Sequence, residues 1–221
     1  TADGDLGPAI RLFHHRWSVP ITYVLRDGPR SQAQLQRRLG ASRDTLAETI
    51  ASLEREGVVE RLPVGGRVQF ALSPLATDLA EATVAMVAAV RGTETLRVSL
   101  RKWPFVTLTA IGRGLAHYNE LKAALPGITP RALSASLRDL VEAGLVERRP
   151  QPGFPPTSLY VAAPAAAALL PPLDALCRAA ERFAHGRASE GDNGNAPDHG
   201  LDERHPESLV SDIDTKTWAE A

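Results

Sequence analysis

The chain has 221 residues, 43% of them apolar and only 5% aromatic, which leaves room for two compact domains of about 80 residues each, with cores of Leu, Val, Ile and Ala. A single cysteine, Cys177, excludes an intrachain disulfide and a cysteine-based zinc cluster; no apolar run reaches membrane-spanning length, and the first ten residues hold two Asp and no basic segment, which reads as a cytoplasmic protein without a signal peptide. The formal net charge of −1 is unevenly spread: residues 187–221 carry nine acids and three bases, which leaves +5 on residues 1–186.

Residues 1–9, with Gly, Asp and Pro, read as a flexible lead-in. Val19, Ile21, Val24 and Leu25 then predict a short helix ended by Asp27-Gly28-Pro29. Ser31 caps a second helix carrying Leu35 and Leu39 at i and i+4, and Gly40 closes it. Ser42 caps a third, with Leu46, Ile50 and Leu53 on one face and Gly57 as its stop. VVERLPV and RVQFAL flank Gly65-Gly66, the signal of a β-hairpin whose tip needs positive φ. A longer amphipathic helix is expected over 74–91, with Pro74 in its first turn. Further on, helices are expected over 103–111, 117–125 and 129–143. The last of these has Thr129 as N-cap and Pro130 at the first position, where a missing N–H costs nothing. A hairpin spans LVERRPQPGFPPTSLYVA, and Pro164 opens a final helix to about His185. Residues 187–221, polar and interrupted by Gly and Pro, read as an acidic, disordered tail.

The second half of that order repeats the first. The segment 16–61 returns as 102–148: Trp17 matches Trp103 and Leu35 matches Leu121. After one inserted residue, Pro126, Leu46 matches Leu133 and Leu53 matches Leu140, and both copies end on Val-Glu-Arg. The terminal helices match too, with Phe70, Pro74, Leu79 and Met86 opposite Tyr160, Pro164, Leu169 and Leu176. A repeat of this length is a whole domain rather than one unit of a solenoid. The domains are therefore expected at 10–91 and 92–186. Three helices followed by a two-stranded hairpin is the winged helix-turn-helix order, in which the third helix enters the DNA major groove and the wing touches the backbone. The fold class is thus mainly α with small β-hairpin wings.

The copy-two residues KW, YNELKAALPGITPRALSASLRDLVEAGLVERR, PPTSLYV and LLPPLDALCRAA closely resemble the HxlR-type winged helix-turn-helix transcriptional regulators. Copy one resembles a diverged member, keeping RW, DGP, EREGVVER and LSPLATDLA; together the resemblance covers residues 10–185. Members of that family are usually single-module homodimers joined through their terminal helices on inverted-repeat operators. The resemblance therefore implies an intramolecular pseudo-dimer, joined by the helices over 74–91 and 164–185. Many members sense oxidants through a cysteine ahead of the KW motif. This chain has none before Trp17 or Trp103, so that mechanism is not implied here.

On this reading the partner is duplex DNA. Thr129, Arg131, Ser134 and Arg138 are the expected groove contacts of copy two, with Arg149 on its wing. Ser42, Arg43, Thr45 and Thr49 are those of copy one, with Arg67 on the wing; Asp44, Glu48 and Ser52 also face outward there. Acids facing phosphates repel nonspecific DNA, although a Glu can accept from cytosine N4, so copy one is the weaker reader. Two unlike halves imply an imperfect inverted-repeat operator. Trp17 and Trp103, matched residues near the join, are packing residues or else the lining of a small-molecule effector pocket. The alanines at 80, 82, 85, 88, 89 and 165–168 either let helices pack closely or leave a cavity. Cys177 reads as a core residue. His14-His15 is a weak metal signal, since adjacent helical side chains point about 100° apart. No nucleophile elbow, phosphate loop or HExxH occurs, so neither an enzyme nor a cofactor is implied. The competing reading is a winged-helix scaffold that has lost DNA binding and holds a small molecule or a protein. Pairing of two such chains stays open.

Overall fold

In a computed structural model, residues 4–90, 101–152 and 157–192 are described, and over them the sequence repeat becomes a structural one. A short helix, α1 (Gly7–Leu12), comes first. Copy one then runs α2 (Ser18–Leu25), α3 (Gln32–Leu39), α4 (Arg43–Arg55), β1 (Val59–Val64), β2 (Arg67–Leu72) and α5 (Thr77–Val90). Copy two runs α6 (Lys102–Gly112), α7 (Tyr118–Ala124), α8 (Pro130–Glu142), β3 (Val146–Gln151), β4 (Thr157–Ala162) and α9 (Leu170–Asp192).

Short-range chemistry sets most of these boundaries. Ser31 Oγ accepts the Gln34 N–H (3.3 Å) while Gln34 Oε1 accepts the Ser31 N–H (2.7 Å), a reciprocal capping box that starts α3. Gly40, at φ 68°, ends it in the left-handed region. Ser42 Oγ accepts the Thr45 N–H (3.2 Å) and Thr129 Oγ1 the Ala132 N–H (3.1 Å), so both recognition-helix positions begin on the expected hydroxyl. In the first wing Val64 pairs with Arg67, which leaves a two-residue loop of Gly65 and Gly66 at φ 56° and 74°. This matches the twist of the flanking strands. The second wing pairs Val146 with Ala162 through to Gln151 with Thr157; the Gly-Phe-Pro-Pro part of its tip, 153–156, lies outside the described residues.

Four expectations need correction. Pro74 and Pro164 do not open α-helices; each opens a single 3₁₀ turn, Pro74–Ala76 and Pro164–Ala166, and the α-helices start at Thr77 and Leu170. Residues 7–9 belong to α1 rather than to a lead-in, because Ala9, Ile10, Leu12 and Phe13 are buried against copy two. There α1 packs on α9 and α6, and Phe13 meets Phe105 edge to face with ring centroids 5.7 Å apart. The last helix does not stop near His185 but runs to Asp192, so residues 187–192 are helical. Arg187 explains the extension, since it reaches the Arg55 and Glu56 carbonyls at the end of α4 and ties this last stretch of helix to copy one. Arg91 and the remaining tail, 193–221, lie outside the described residues.

One hydrophobic cluster runs through both copies. Leu35, Leu46 and Leu53 centre the first half, and Phe105, Leu121, Leu133 and Leu140 the second, each at most 1% exposed. Between them α5 and α9 make the most extensive helix–helix contact among the described residues. Leu79 and Met86 on α5 and Leu173 and Leu176 on α9 are fully buried, and Ala80, Ala179 and Ala180 are buried small residues on the same two helices. Arg182 Nε meets Asp78 Oδ2 across its edge at 3.2 Å. The halves are therefore joined as the resemblance implies.

Candidate nucleic-acid interface

The helix pair that would meet DNA is held by one matched bond in each copy. In copy two the Tyr118 hydroxyl, at the start of α7, donates to the Pro130 carbonyl at the start of α8 (3.0 Å). In copy one Gln32 Nε2 donates from the same place to the Arg43 carbonyl (3.1 Å). Different chemistry thus closes the same turn. Beneath Tyr118, Glu120 accepts the His117 and Ala116 N–H groups (3.0 and 3.2 Å), which hold its carboxyl below its ordinary value.

With Leu133, Leu137 and Leu140 buried, α8 exposes Arg131, Ser134, Ala135 and Arg138, spaced i, i+3, i+4 and i+7 on one stripe. Among the described residues neither Arg131 nor Arg138 has an ion-pair partner, so both guanidinium groups are free to meet phosphates or base edges. Thr129 is exposed at the head of the stripe; its oxygen takes the cap bond and its hydroxyl hydrogen is left to donate. Tyr118 stands 3.5 Å from Ser134 Oγ and is a member of this surface that sequence reasoning missed. The available signal was its match to Gln32, a polar tip at the first position of the preceding helix.

The copy-one surface is weaker. Arg43, Asp44 and Glu48 are exposed and Thr45 is half-buried. Ser42 Oγ donates to Thr45 Oγ1 (2.8 Å) as well as capping the helix, so this hydroxyl is already engaged. Thr49 is not at the surface at all. It is fully buried, its hydroxyl donates to the Thr45 carbonyl (2.8 Å), and it leaves the set of contacts. It follows Leu46 by three positions and precedes Leu53 by four, which turns it to the core. The matched Ser136 is buried likewise and donates to Thr107 Oγ1 (3.1 Å). Ser52 is buried beside His14 Nε2 (3.4 Å) and is also withdrawn.

On the wings, Arg67 is exposed beside the Gly-Gly tip, between Val64 and Val68, each 46% exposed. Arg149 is exposed but held by Glu147 at 2.7 Å. Arg61 is committed to Glu54 through two bonds of 3.0 Å and lies over the Phe70 ring.

The matched tryptophans differ in burial. Trp17 is 3% exposed in the core with Arg16 over its ring, and half-buried Trp103 lies under Lys102. Two clefts of about 360 and 520 Å³ flank the first turns of α9, and neither tryptophan lines them. His14 Nδ1 lies 2.7 Å from the Arg11 carbonyl, so with Ser52 both ring nitrogens are engaged. Burial, and then the neighbouring His14, lower the pKa of His15. No cluster of three or more metal-ligating side chains occurs among the described residues. Cys177 is 1% exposed, and burial pushes its thiol up to about 12.

Set beside known proteins, the sequence matches the HxlR-like helix-turn-helix family over residues 12–94 and again over 99–187. The chain belongs to the HxlR-like family. Each match covers one winged-helix unit from its first helix to its terminal helix. Among single proteins, the chain is 30% identical over 91 residues to an uncharacterized HTH-type transcriptional regulator of Methanothermobacter thermautotrophicus, covering 41% of this chain and 70% of that protein. It is 32% identical over 91 residues to YkvN of Bacillus subtilis (41% of this chain, 77% of YkvN). It is also 32% identical over 75 residues to YtfH of Escherichia coli (32% and 60%). Both carry the same description. No solved structure matches significantly. These relatives are named as transcriptional regulators rather than as enzymes, and no described helix is long and apolar enough to cross a membrane.

Proposed function

We propose that this chain is a cytoplasmic DNA-binding transcriptional regulator that reads an imperfect inverted repeat with two unequal winged-helix units. The observation that carries the reading is the α8 stripe: Arg131, Ser134 and Arg138 exposed together, both arginines unpaired among the described residues, on the third helix of a family helix-turn-helix. An arginine there can take guanine O6 and N7 together, and the Thr129 hydroxyl can donate to an adjacent phosphate. Arg67 and Arg149 supply backbone contacts from the wings. Arg149 must exchange Glu147 for a phosphate to do so. From copy one, Ser42, Arg43 and Thr45 make a lesser set beside Asp44 and Glu48.

The test is fluorescence anisotropy on duplexes from the gene's own upstream region, at two salt concentrations and against random DNA. Selective, salt-dependent binding is expected. Arg131→Ala and Arg138→Ala should each weaken it by about 1–3 kcal/mol, roughly five- to 150-fold. Binding no better than to random DNA across the candidate promoters would favour a second reading, a scaffold that holds another partner. The observation on that side is the pair of acids, Asp44 and Glu48, on the exposed face of α4. In a scaffold the two arginine variants would leave partner binding unchanged.

A further inference from the structure

The likeness of the two halves fails at one buried polar cluster. Arg113, in the turn after α6, has a side chain only 10% exposed. Its Nε donates to Asp174 Oδ1 on α9 (2.7 Å) and its Nη1 to the Gly4 carbonyl (3.1 Å), while Nη2 is buried without a partner. The other Asp174 oxygen takes Arg178. Burial alone would raise the Asp174 carboxyl, but the bonds from Arg113 and Arg178 outweigh it and hold the group below its ordinary value. At the matched places copy one has Asp27, Val84 and Ala88. The fold therefore forms without this cluster, and an unsatisfied buried donor costs about 1–3 kcal/mol. Stability does not account for it.

The cluster stands on the wall of the 360 Å³ cleft between α6 and α9. Thr109, Gly112, Leu170 and Pro171 complete the lining. The cleft lies in the size range of small-ligand sites, which combine apolar walls with a few placed polar groups. Arg113, Asp174 and Arg178 together carry one net positive charge. Glu181 accepts the Asp5 N–H (3.1 Å) and is not among the lining residues. Thr109 is already committed, donating to the Phe105 carbonyl and meeting Cys177. What is left to recognise a ligand is the charge of Arg113 on the cleft wall, the 65%-exposed Arg178 and the apolar surface of Leu170 and Pro171.

We propose that this cleft binds a small organic monocarboxylate, its carboxylate on Arg113 and Arg178 and its carbon body against Leu170 and Pro171. A monoanion cancels the single net charge, and the apolar wall favours a carbon body over an inorganic anion. The site exists in one half only, so a ligand acts on the two DNA-reading units unequally. It contacts α9, the helix whose Arg182 pairs with Asp78 and whose Arg187 holds the last carbonyls of α4. This regulatory consequence rests on the proposed function; the binding itself does not.

Calorimetric titration of the full chain without DNA tests the binding, with benzoate as probe and benzamide and inorganic phosphate as controls. Saturable benzoate binding is expected below about 10 mM, weakened at least about tenfold in Arg178→Gln and in Arg113→Gln and absent for benzamide. Arg178 is largely exposed, so its variant keeps the test sound if Arg113→Gln does not fold. An absence of saturable benzoate binding overturns the proposal. So does equal binding of benzamide or phosphate, or an affinity unchanged in Arg178→Gln. A positive titration followed by no effect of benzoate on DNA affinity would leave the site intact and remove its regulatory role.

Discussion

Thr49 and Arg131 both look like groove contacts on a helical projection, and burial separates them. A threonine can satisfy its hydroxyl on the carbonyl four residues back, so a polar residue beside a core position does not have to face water. Thr49→Val therefore should leave DNA affinity unchanged and alter stability by about 1 kcal/mol at most, since one internal hydrogen bond is exchanged for apolar contact. Anisotropy and urea denaturation on the same protein check both parts; a tenfold loss of affinity would return Thr49 to the interface. Cys177 makes the complementary case. With its thiol pushed up to about 12, its thiolate at neutral pH is roughly one part in 10⁵. Iodoacetamide should leave it unmodified in the native protein and label it once denatured, as read by intact mass. Rapid native labelling would show that α9 opens.

At the scale of elements, what was legible is what a few neighbouring residues decide. The capping box at Ser31, the hydroxyl caps at Ser42 and Thr129 and the Gly65-Gly66 turn all form as their sequences prescribe. Thr129→Ala should cost about 1 kcal/mol of stability, because it leaves the Ala132 N–H unpaired at the start of α8. The midpoint shift in urea measures it, and Thr129→Ser should recover most of the loss. What was not legible depends on distant partners. Six residues of GPAIRL are too few for a helical period to show or for an isolated helix to hold, so α1 exists only because α9 and α6 cover it. The end of α9 was missed for the same reason: the polar, Gly-interrupted run from 187 reads as a tail, yet Gly186 packs near Leu75, and Arg187 anchors the next turn on α4.

Over the whole molecule the two sequence repeats do not behave as two separate bodies. The α5–α9 contact, the crossing of α1 onto copy two and the Arg187 tie to copy one make a shared core. Heating should therefore give one calorimetric transition, with calorimetric and van't Hoff enthalpies equal, rather than two. Two resolved transitions would mean that the halves fold independently. Unequal recognition faces within one such body are also why the operator is expected to be asymmetric, since site symmetry mirrors that of the protein.

The sequence by itself determined the order of elements, their tandem duplication, the caps and turns that bound them and the arginine stripe on α8. These follow from residues within one or two turns of each other. Only the tertiary structure decided that Thr49 and Ser52 point inward, that α1 belongs against the opposite half, and that Arg113 meets Asp174 across 61 residues beside a cleft. Burial and pairing at those places depend on which surfaces meet, and surfaces meet only once the chain has folded.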